Sequence, residues 1–199
     1  MVRQQQRREA TISTILQTAR ALFASRGFAA TTIDGIAAES ALAKGAVYHH
    51  FASKESLFTA VMEAVQADVA NAPIPPSAAR LTDPLDQIVA GVLRYLIATS
   101  EPGVRRILLI DGPAVVGWQK WREIDARIFG AAARAAITRA LDGAKAAEID
   151  AIVHLLMGSV TEAALVCAAS SRPKAQAHAF VTTLRAMLEG VRAEHLRAR

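Results

Sequence analysis

The chain has 199 residues, of which 52% are hydrophobic, 5% aromatic and 21% charged, and its formal net charge is +5. A chain of this length can hold one large helical domain, or a small domain joined to a larger one. Its single cysteine, Cys167, excludes an internal disulfide and any zinc site built from several cysteines. We find no apolar run of membrane-spanning length and no signal-peptide core, so we expect a cytoplasmic protein without membrane contact.

Apolar residues recur at helical spacing along the chain, and the alternating Val, Ile and Thr runs that would indicate strands are missing. The fold class is therefore predicted to be all-α, with about nine helices. Residues 1–60 hold seven Lys and Arg against four Asp and Glu. This modest positive excess favours a polyanionic partner for the N-terminal part.

The predicted elements begin after residues 1–9, which we expect to be a solvated tail, with a phosphate-contacting arm as the alternative. Gly27 is predicted to end the first helix, and Thr31 is a candidate N-cap of the second, with Asp34 in the capping-box position. Pro73, Pro75, Pro76 and Pro84 make residues 71–84 the clearest break, with a domain boundary inside the helix before it. Helices are predicted over residues 10–25, 31–40, 44–50, 53–70, 84–101, 104–110, 111–141, 147–170 and 174–197.

The second and third predicted helices are short and meet at a tight turn after Ser40, which is typical of a helix-turn-helix. Val47 faces inward on the third helix, and small residues stand at its leading end beside Lys44. Small side chains permit close approach to a surface, so this helix suits the floor of a DNA major groove.

Five short motifs in this region occur in the order and at the spacing found in the TetR family of bacterial transcriptional regulators. They are Gly27-Phe28, Thr31-Thr32, Ile36-Ala37, Tyr48-His49-His50-Phe51 and Ser53-Lys54-Glu55-Ser56-Leu57. The chain resembles that family closely over about residues 10–60, and in a general way beyond them. The resemblance implies an N-terminal three-helix DNA-binding domain over residues 1–55 and a helical effector-binding and dimerisation domain over residues 56–199.

The last two predicted helices resemble the pair that forms the four-helix dimer interface of TetR-like proteins, and their apolar stripes are wide. We expect a homodimer, because operator symmetry mirrors the two-fold symmetry of the protein. The alternative is that both helices only close the core of the monomer.

DNA contacts are expected from two groups of residues. Thr32 stands at a helix N-terminus, where backbone N–H groups attract phosphate, and Tyr48, His49 and Lys54 resemble phosphate contacts of the family. Base discrimination is then left to Lys44, Gly45 and Ala46. His50 is open between a DNA contact and ordinary packing.

A small apolar or aromatic effector is expected in the second domain, because an apolar helical domain with few internal charges suits such a ligand. The candidate residues are mostly aromatic, although core packing explains them equally well: Tyr95, Asp111, Trp118, Trp121 and Phe129. Asp111 also has the position of a helix cap. We expect no cofactor, no metal site and no catalytic constellation.

We therefore expect a homodimeric repressor that an effector releases from a palindromic double-stranded DNA operator, most simply by shifting the fourth helix. A regulator without a small-molecule effector is the first alternative. A small helical enzyme is the second, and it would need titratable groups arranged as in an active site.

Overall fold

The structure, a computed structural model, describes residues 2–73 and 80–198, with side chains from Gln4 onward. These residues form nine helices and no strand, which confirms the predicted all-α class. The helices are α1 (Val2–Ala30), α2 (Ile33–Glu39), α3 (Lys44–His50), α4 (Lys54–Asn71), α5 (Pro84–Thr99), α6 (residues 102–116), α7 (residues 118–140), α8 (Ala146–Ala169) and α9 (Pro173–Arg197). Of the predicted proline-rich loop, Pro75 and Pro76 lie outside the described residues.

Helix α1 begins much earlier than predicted, so the expectation of a frayed tail over residues 1–9 is wrong for the described part. Its first turns are rich in Gln and Arg, which are good helix formers, and Gln5 donates to Glu9 one turn later at 3.1 Å. Gly27 interrupts the helix as predicted, with φ +81°, a conformation that favours glycine.

The N-cap of α2 is Thr32, and the prediction of Thr31 is wrong by one residue. The Thr32 hydroxyl oxygen accepts from the backbone N–H of Gly35 at 3.0 Å. Thr31 is buried instead, and its hydroxyl donates to the carbonyl of Gly27 at 2.8 Å. Adjacent threonines both carry a suitable hydroxyl, so only the packing of the chain decides which one caps the helix.

Helices α6 and α7 each contain a stretch of wider π-helix, Arg106–Asp111 in α6 and Ala126–Gly130 in α7. The predicted restart at Asp111 is absent, because the helix continues through Gly112–Val116. The break falls at Gly117, where φ is +82°.

The chain divides into two compact units, each defined by the contacts between its own residues. The first unit contains Met1–Gln66 and Pro102–Trp121, and the second contains Ala67–Glu101 and Arg122–Arg199. The first change of unit lies inside α4, after Gln66. The division predicted between residues 55 and 56 stays a prediction. Residues 102–121 join the first unit, which chain order alone does not predict.

An aromatic cluster forms the centre of the first unit. Phe23, Phe28 and Phe58 pack with ring centroids 5.1 to 6.0 Å apart. Trp121 is also buried, and its indole N–H donates to the carbonyl of Leu108 at 2.7 Å. The short helices α2 and α3 pack on this core through their buried residues, which are Ile33, Ile36, Ala37 and Val47.

The core of the second unit is aliphatic and is contributed by α5, α7, α8 and α9. Its buried members are Leu85, Ile88, Ala136, Ile137, Leu141, Ile149, Val153, Leu156 and Leu188. At the start of α5, the carboxylate of Asp83 accepts from the backbone N–H of Leu85 at 2.9 Å and from Arg192 of α9 at 2.9 Å. One side chain therefore caps α5 and links it to α9.

Helix α8 is long and apolar enough to cross a membrane by length and composition alone, with a mean hydropathy of 1.8 over its most apolar window. The prediction that no apolar run of the chain reaches membrane-spanning length is therefore wrong. Only 33% of that window is buried within the chain. An apolar helix with this much uncovered surface is also what a protein–protein interface requires.

Candidate DNA-contact surface and effector cavity

The leading end of α3 presents an open surface. Lys44 and Gly45 are exposed, and a Cβ atom built on Gly45 would meet nothing within 4 Å. Tyr48 is 46% exposed and His49 is exposed, whereas Ala46 is half-buried. Val47 points inward and is fully buried, as predicted. The surface can therefore be approached closely by another molecule.

Lys44 is held by an acidic neighbour on α2. Its ammonium group lies 2.9 Å from the carboxylate of Asp34, and both side chains are more than half exposed. The hydrogen bond and the charge of Asp34 raise the pKa of Lys44 above its ordinary value. Lys44 is thus a fixed cation at the N-terminal end of α3.

Lys54 is used inside the protein. Its ammonium group donates to the carbonyl of Phe28 at 2.9 Å and to that of Thr31 at 3.0 Å. It also lies 4.1 Å from the centroid of the Phe28 ring, within the range of a cation–π contact. Two of its three N–H donors are therefore occupied at the C-terminal end of α1, which leaves one donor for another partner.

His49 and His50 are the last two residues of α3, and their ring centroids lie 5.0 Å apart. His50 is half-buried, and burial, then the neighbouring His49 and Arg8, lower its pKa. A groove beside these rings is lined by α1 residues including Arg7 and Arg8. His50 thus belongs to the packing between α1 and α3, while His49 remains at the surface.

The second unit contains a cavity of about 320 Å³ between α4, α5, α7 and α8. Its walls are mostly apolar, and Tyr95 and Phe129 meet there edge to face with centroids 5.2 Å apart. The polar side chains in its lining are Gln87, Arg94, Tyr95, Asp125, Arg139 and Thr161. A concave apolar site with a few polar groups is typical of a small-molecule binding site.

Of the five predicted effector residues, Tyr95 and Phe129 line this cavity. Asp111, Trp118 and Trp121 lie in the first unit. Trp121 is fully buried, and the ring of Trp118 stacks on it with the two ring centroids 5.2 Å apart. Asp111 accepts from the backbone N–H of Phe28 at 2.8 Å, at the end of α1, and its side chain caps no helix of its own.

The charged residues of the cavity are not among the residues predicted from the sequence. Arg94 lies on the side of α5 opposite the stripe predicted from Leu85, Ile88 and Val92, where a charged side chain is expected to face solvent, so the sequence contains no signal for its place in the cavity. Asp125 is buried, at 3% exposure. Its burial depends on which faces of α5 and α7 meet, so the sequence contains no signal for it either.

A helix-turn-helix unit joined to a second helical unit with an apolar cavity is the architecture of a class of DNA-binding regulators. The profile "Bacterial regulatory proteins, tetR family" matches residues 15–61, and "Tetracyclin repressor-like, C-terminal domain" matches residues 85–191. The second match alone covers more than half of the chain. The chain therefore belongs to the TetR family of transcriptional regulators and not to an enzyme family.

Relatives agree with this assignment. The Transposon Tn10 TetC protein of Escherichia coli is 27% identical over 160 residues, which are 78% of this chain and 79% of TetC. Other curated regulators match over 43 to 56 residues, which span only 17% to 30% of their own length.

Solved structures match nearly the whole chain. A TetR-family regulator from Pectobacterium atrosepticum is 28% identical with a TM-score of 0.71, covering 92% of this chain and 95% of that one. RolR in complex with resorcinol is 20% identical with a TM-score of 0.69, covering 94% and 95%. The latter likeness concerns the fold alone.

Proposed function

We propose that this TetR-family protein is a homodimeric repressor that binds a palindromic operator and leaves it when a small apolar or aromatic effector occupies the cavity. The observation that supports this most is the combination, in one chain, of an exposed α3 and an apolar cavity in the unit matched by the tetracyclin repressor-like profile. Because the proposed partner is DNA, the protein is also proposed to act in the cytoplasm.

In this proposal, α3 enters the major groove. Lys44, Gly45 and Ala46 read bases, while Thr32, Tyr48, His49 and Lys54 contact phosphates. The remaining donor of Lys54 supports a phosphate contact for that residue. The hydroxyl of Thr32 is occupied as an acceptor by its own helix, so its exposed position at the N-terminus of α2 is the main support for a contact there.

Helix α4 connects the two activities along the chain. It begins with Lys54 in the first unit, and near its C-terminal end Val69 and Ala70 line the cavity. An effector that prefers a shifted α4 would change the placement of α3. To move the population from 1:99 to 99:1, that preference must be about 10⁴-fold.

The effector is proposed to contact Tyr95 and Phe129, whose rings form an aromatic wall. RolR, a protein of the same fold, was solved with the small aromatic molecule resorcinol. Asp111, Trp118 and Trp121 lie outside this cavity, and for them we propose structural roles in the first unit.

The proposal is tested by selecting genomic fragments that the purified protein binds at near-physiological salt, followed by footprinting. We expect a palindrome protected by one dimer. Release of that fragment is then measured with small apolar and aromatic compounds. Weak binding without sequence preference, by protein from which any retained small molecule has been removed, would show that the repressor assignment is wrong.

A further inference from the structure

The cavity in the second unit contains a cation that the protein itself does not neutralise. The guanidinium of Arg94 lines the cavity, and its Nε atom is buried without a hydrogen-bond partner. Its Nη2 atom donates to the carbonyl of Ala70 at a long 3.4 Å. Within the described residues 2–73 and 80–198, no carboxylate forms an ion pair with it. A half-buried charge that no acid compensates is unfavourable, so a ligand that supplies an anion would be stabilised here.

The lining as a whole has a net positive charge. Arg94 and Arg139 are the cations and Asp125 is the one acid, so the formal sum is +1 (2 − 1 = 1). Asp125 already has an interaction within the protein. Arg139 is exposed and donates to the side-chain carbonyl of Gln87 at 2.9 Å, which places this pair at the outer part of the cavity.

The other polar groups described in the lining add no half-buried cation. Burial, and secondarily the charge of Asp125, raise the pKa of Tyr95, so its phenol stays neutral and does not repel an anion. The hydroxyl of Thr161 donates to the carbonyl of Met157 at 2.9 Å. Among the residues described, Arg94 is therefore the one half-buried cation in the lining of the apolar cavity.

We infer that the cavity binds an organic monocarboxylate, with its carboxylate on Arg94 and its apolar body against Tyr95 and Phe129. The planar guanidinium matches a carboxylate through two parallel hydrogen bonds. A monoanion also balances the lining charge of +1, whereas a phosphate ester with nearly two negative charges would exceed it. This inference rests on the proposed function, because it names the chemical class of the effector.

The test compares acids with their neutral amides, which are nearly equal in shape. Benzoate, cinnamate and octanoate are titrated by calorimetry beside benzamide, cinnamamide and octanamide. We expect at least one acid to bind, and its amide to bind about 10- to 100-fold more weakly, as the loss of a charged hydrogen-bonded pair predicts. Equal affinity of acid and amide, or binding of none of the three acids at millimolar concentration, would overturn the inference.

Two variants assign the effect to this cavity. Arg94→Gln should remove the preference for the acid, and Arg94→Lys should restore part of it. Gly91→Leu should block acids and amides alike, because Gly91 lines the cavity and a Cβ there meets nothing within 4 Å. Circular dichroism establishes that each variant is folded. Undiminished binding of the acid by folded Arg94→Gln would contradict the role of Arg94.

Operator release separates this inference from the proposed function. If an acid binds through Arg94 but operator affinity is unchanged, the carboxylate site stands and effector control by this cavity is wrong. If neutral amides release the operator as well as acids do, and Gly91→Leu prevents it, effector control stands and the carboxylate inference is wrong.

Discussion

At the scale of single residues, Lys54 has two tasks that one substitution cannot distinguish by DNA binding alone. Its ammonium group closes the C-terminal end of α1 through the carbonyls of Phe28 and Thr31. The family pattern that identifies it as a phosphate contact contains no sign of this internal task. A weakened operator complex would therefore not by itself show that Lys54 touches DNA.

We expect Lys54→Ala to lower the free energy of unfolding by about 1–3 kcal/mol, because two charge-assisted hydrogen bonds are lost. The proposed phosphate contact adds a fall of about one in the slope of log affinity against log salt. Chemical denaturation and salt titrations measure the two effects separately. Lys44→Ala serves as control for stability, because Lys44 is exposed and bonded only at the surface. Wild-type stability of Lys54→Ala would refute the internal role, and an unchanged slope would refute the phosphate contact.

Lys44 and Asp34 form a pair in which only the lysine is proposed to read a base. Lys44→Ala should change the preference at one operator position by roughly tenfold. Asp34→Asn leaves the lysine in place and should keep that preference. Selection from a randomised operator library measures both. If Lys44→Ala instead weakens binding to all operator sequences equally, Lys44 contacts only a phosphate and does not read a base.

At the scale of helices, the start of α5 depends on Asp83. Its pKa is lowered first by the hydrogen bond from the backbone of Leu85 and further by Arg192 and Arg185. A carboxyl group whose pKa is lower in the folded than in the unfolded chain stabilises the fold above its ordinary pKa of 3.8. That stabilisation is lost as the pH falls through the lower, folded value.

Asp83→Ala should therefore destabilise the protein by about 1–2 kcal/mol at pH 7, from a lost N-cap and partly exposed ion pairs. The difference from wild type should shrink as the pH falls below 3.8. Urea unfolding between pH 7 and pH 3 measures it. Asp86→Asn is the matched control, because Asp86 contacts Arg185 at 3.1 Å but caps no helix. A difference that stays constant over this range would contradict the assignment to the ionised carboxylate.

Helix α6 requires a glycine where it is packed in the first unit. A Cβ on Gly112 would lie 2.9 Å from the carbonyl oxygen of Ile107 and 3.1 Å from the sulfur of Met62. Gly112→Ala should cost about 1–3 kcal/mol by overpacking, reduced by the better helix propensity of alanine. A Cβ on Gly45 in α3 would meet nothing within 4 Å, and Gly45→Ala should leave the stability unchanged or raise it by up to about 1 kcal/mol. Thermal unfolding compares them, and equal effects would show that the contacts of Gly112 are readily relaxed.

At the scale of the whole molecule, α8 and α9 expose apolar residues that a lone chain leaves in water. Leu155 is 75% exposed and Met187 is 63% exposed. Gly158 on the same face as Leu155 has open space around it, which permits close approach of a second helix. These features support the proposed homodimer, because a stable interface needs a contiguous apolar centre.

Charged substitutions on this surface should separate the subunits. We expect Leu155→Glu combined with Met187→Glu to give monomers in sedimentation analysis and to reduce operator affinity strongly, because two α3 helices no longer bind as one body. Thr182→Glu lies on another face of α9 and should leave the dimer intact. A double variant that remains dimeric would place the interface elsewhere.

The sequence by itself determined the all-α class and the positions of most helices, because apolar residues at helical spacing, glycine stops and proline starts act locally. It also determined the family, since the motifs between Gly27 and Leu57 combine turn, cap and core requirements that few other chains meet together.

Only the tertiary structure decided how distant segments are used. It placed Asp111 at the end of α1, 83 residues away in the chain, and turned Lys54 inward. It separated Trp118 and Trp121 from Tyr95 and Phe129, and brought Arg94 to the cavity. Such choices depend on which helix faces meet. Residues of one chemical type suit a core, a cap or a ligand site equally well until their neighbours are known.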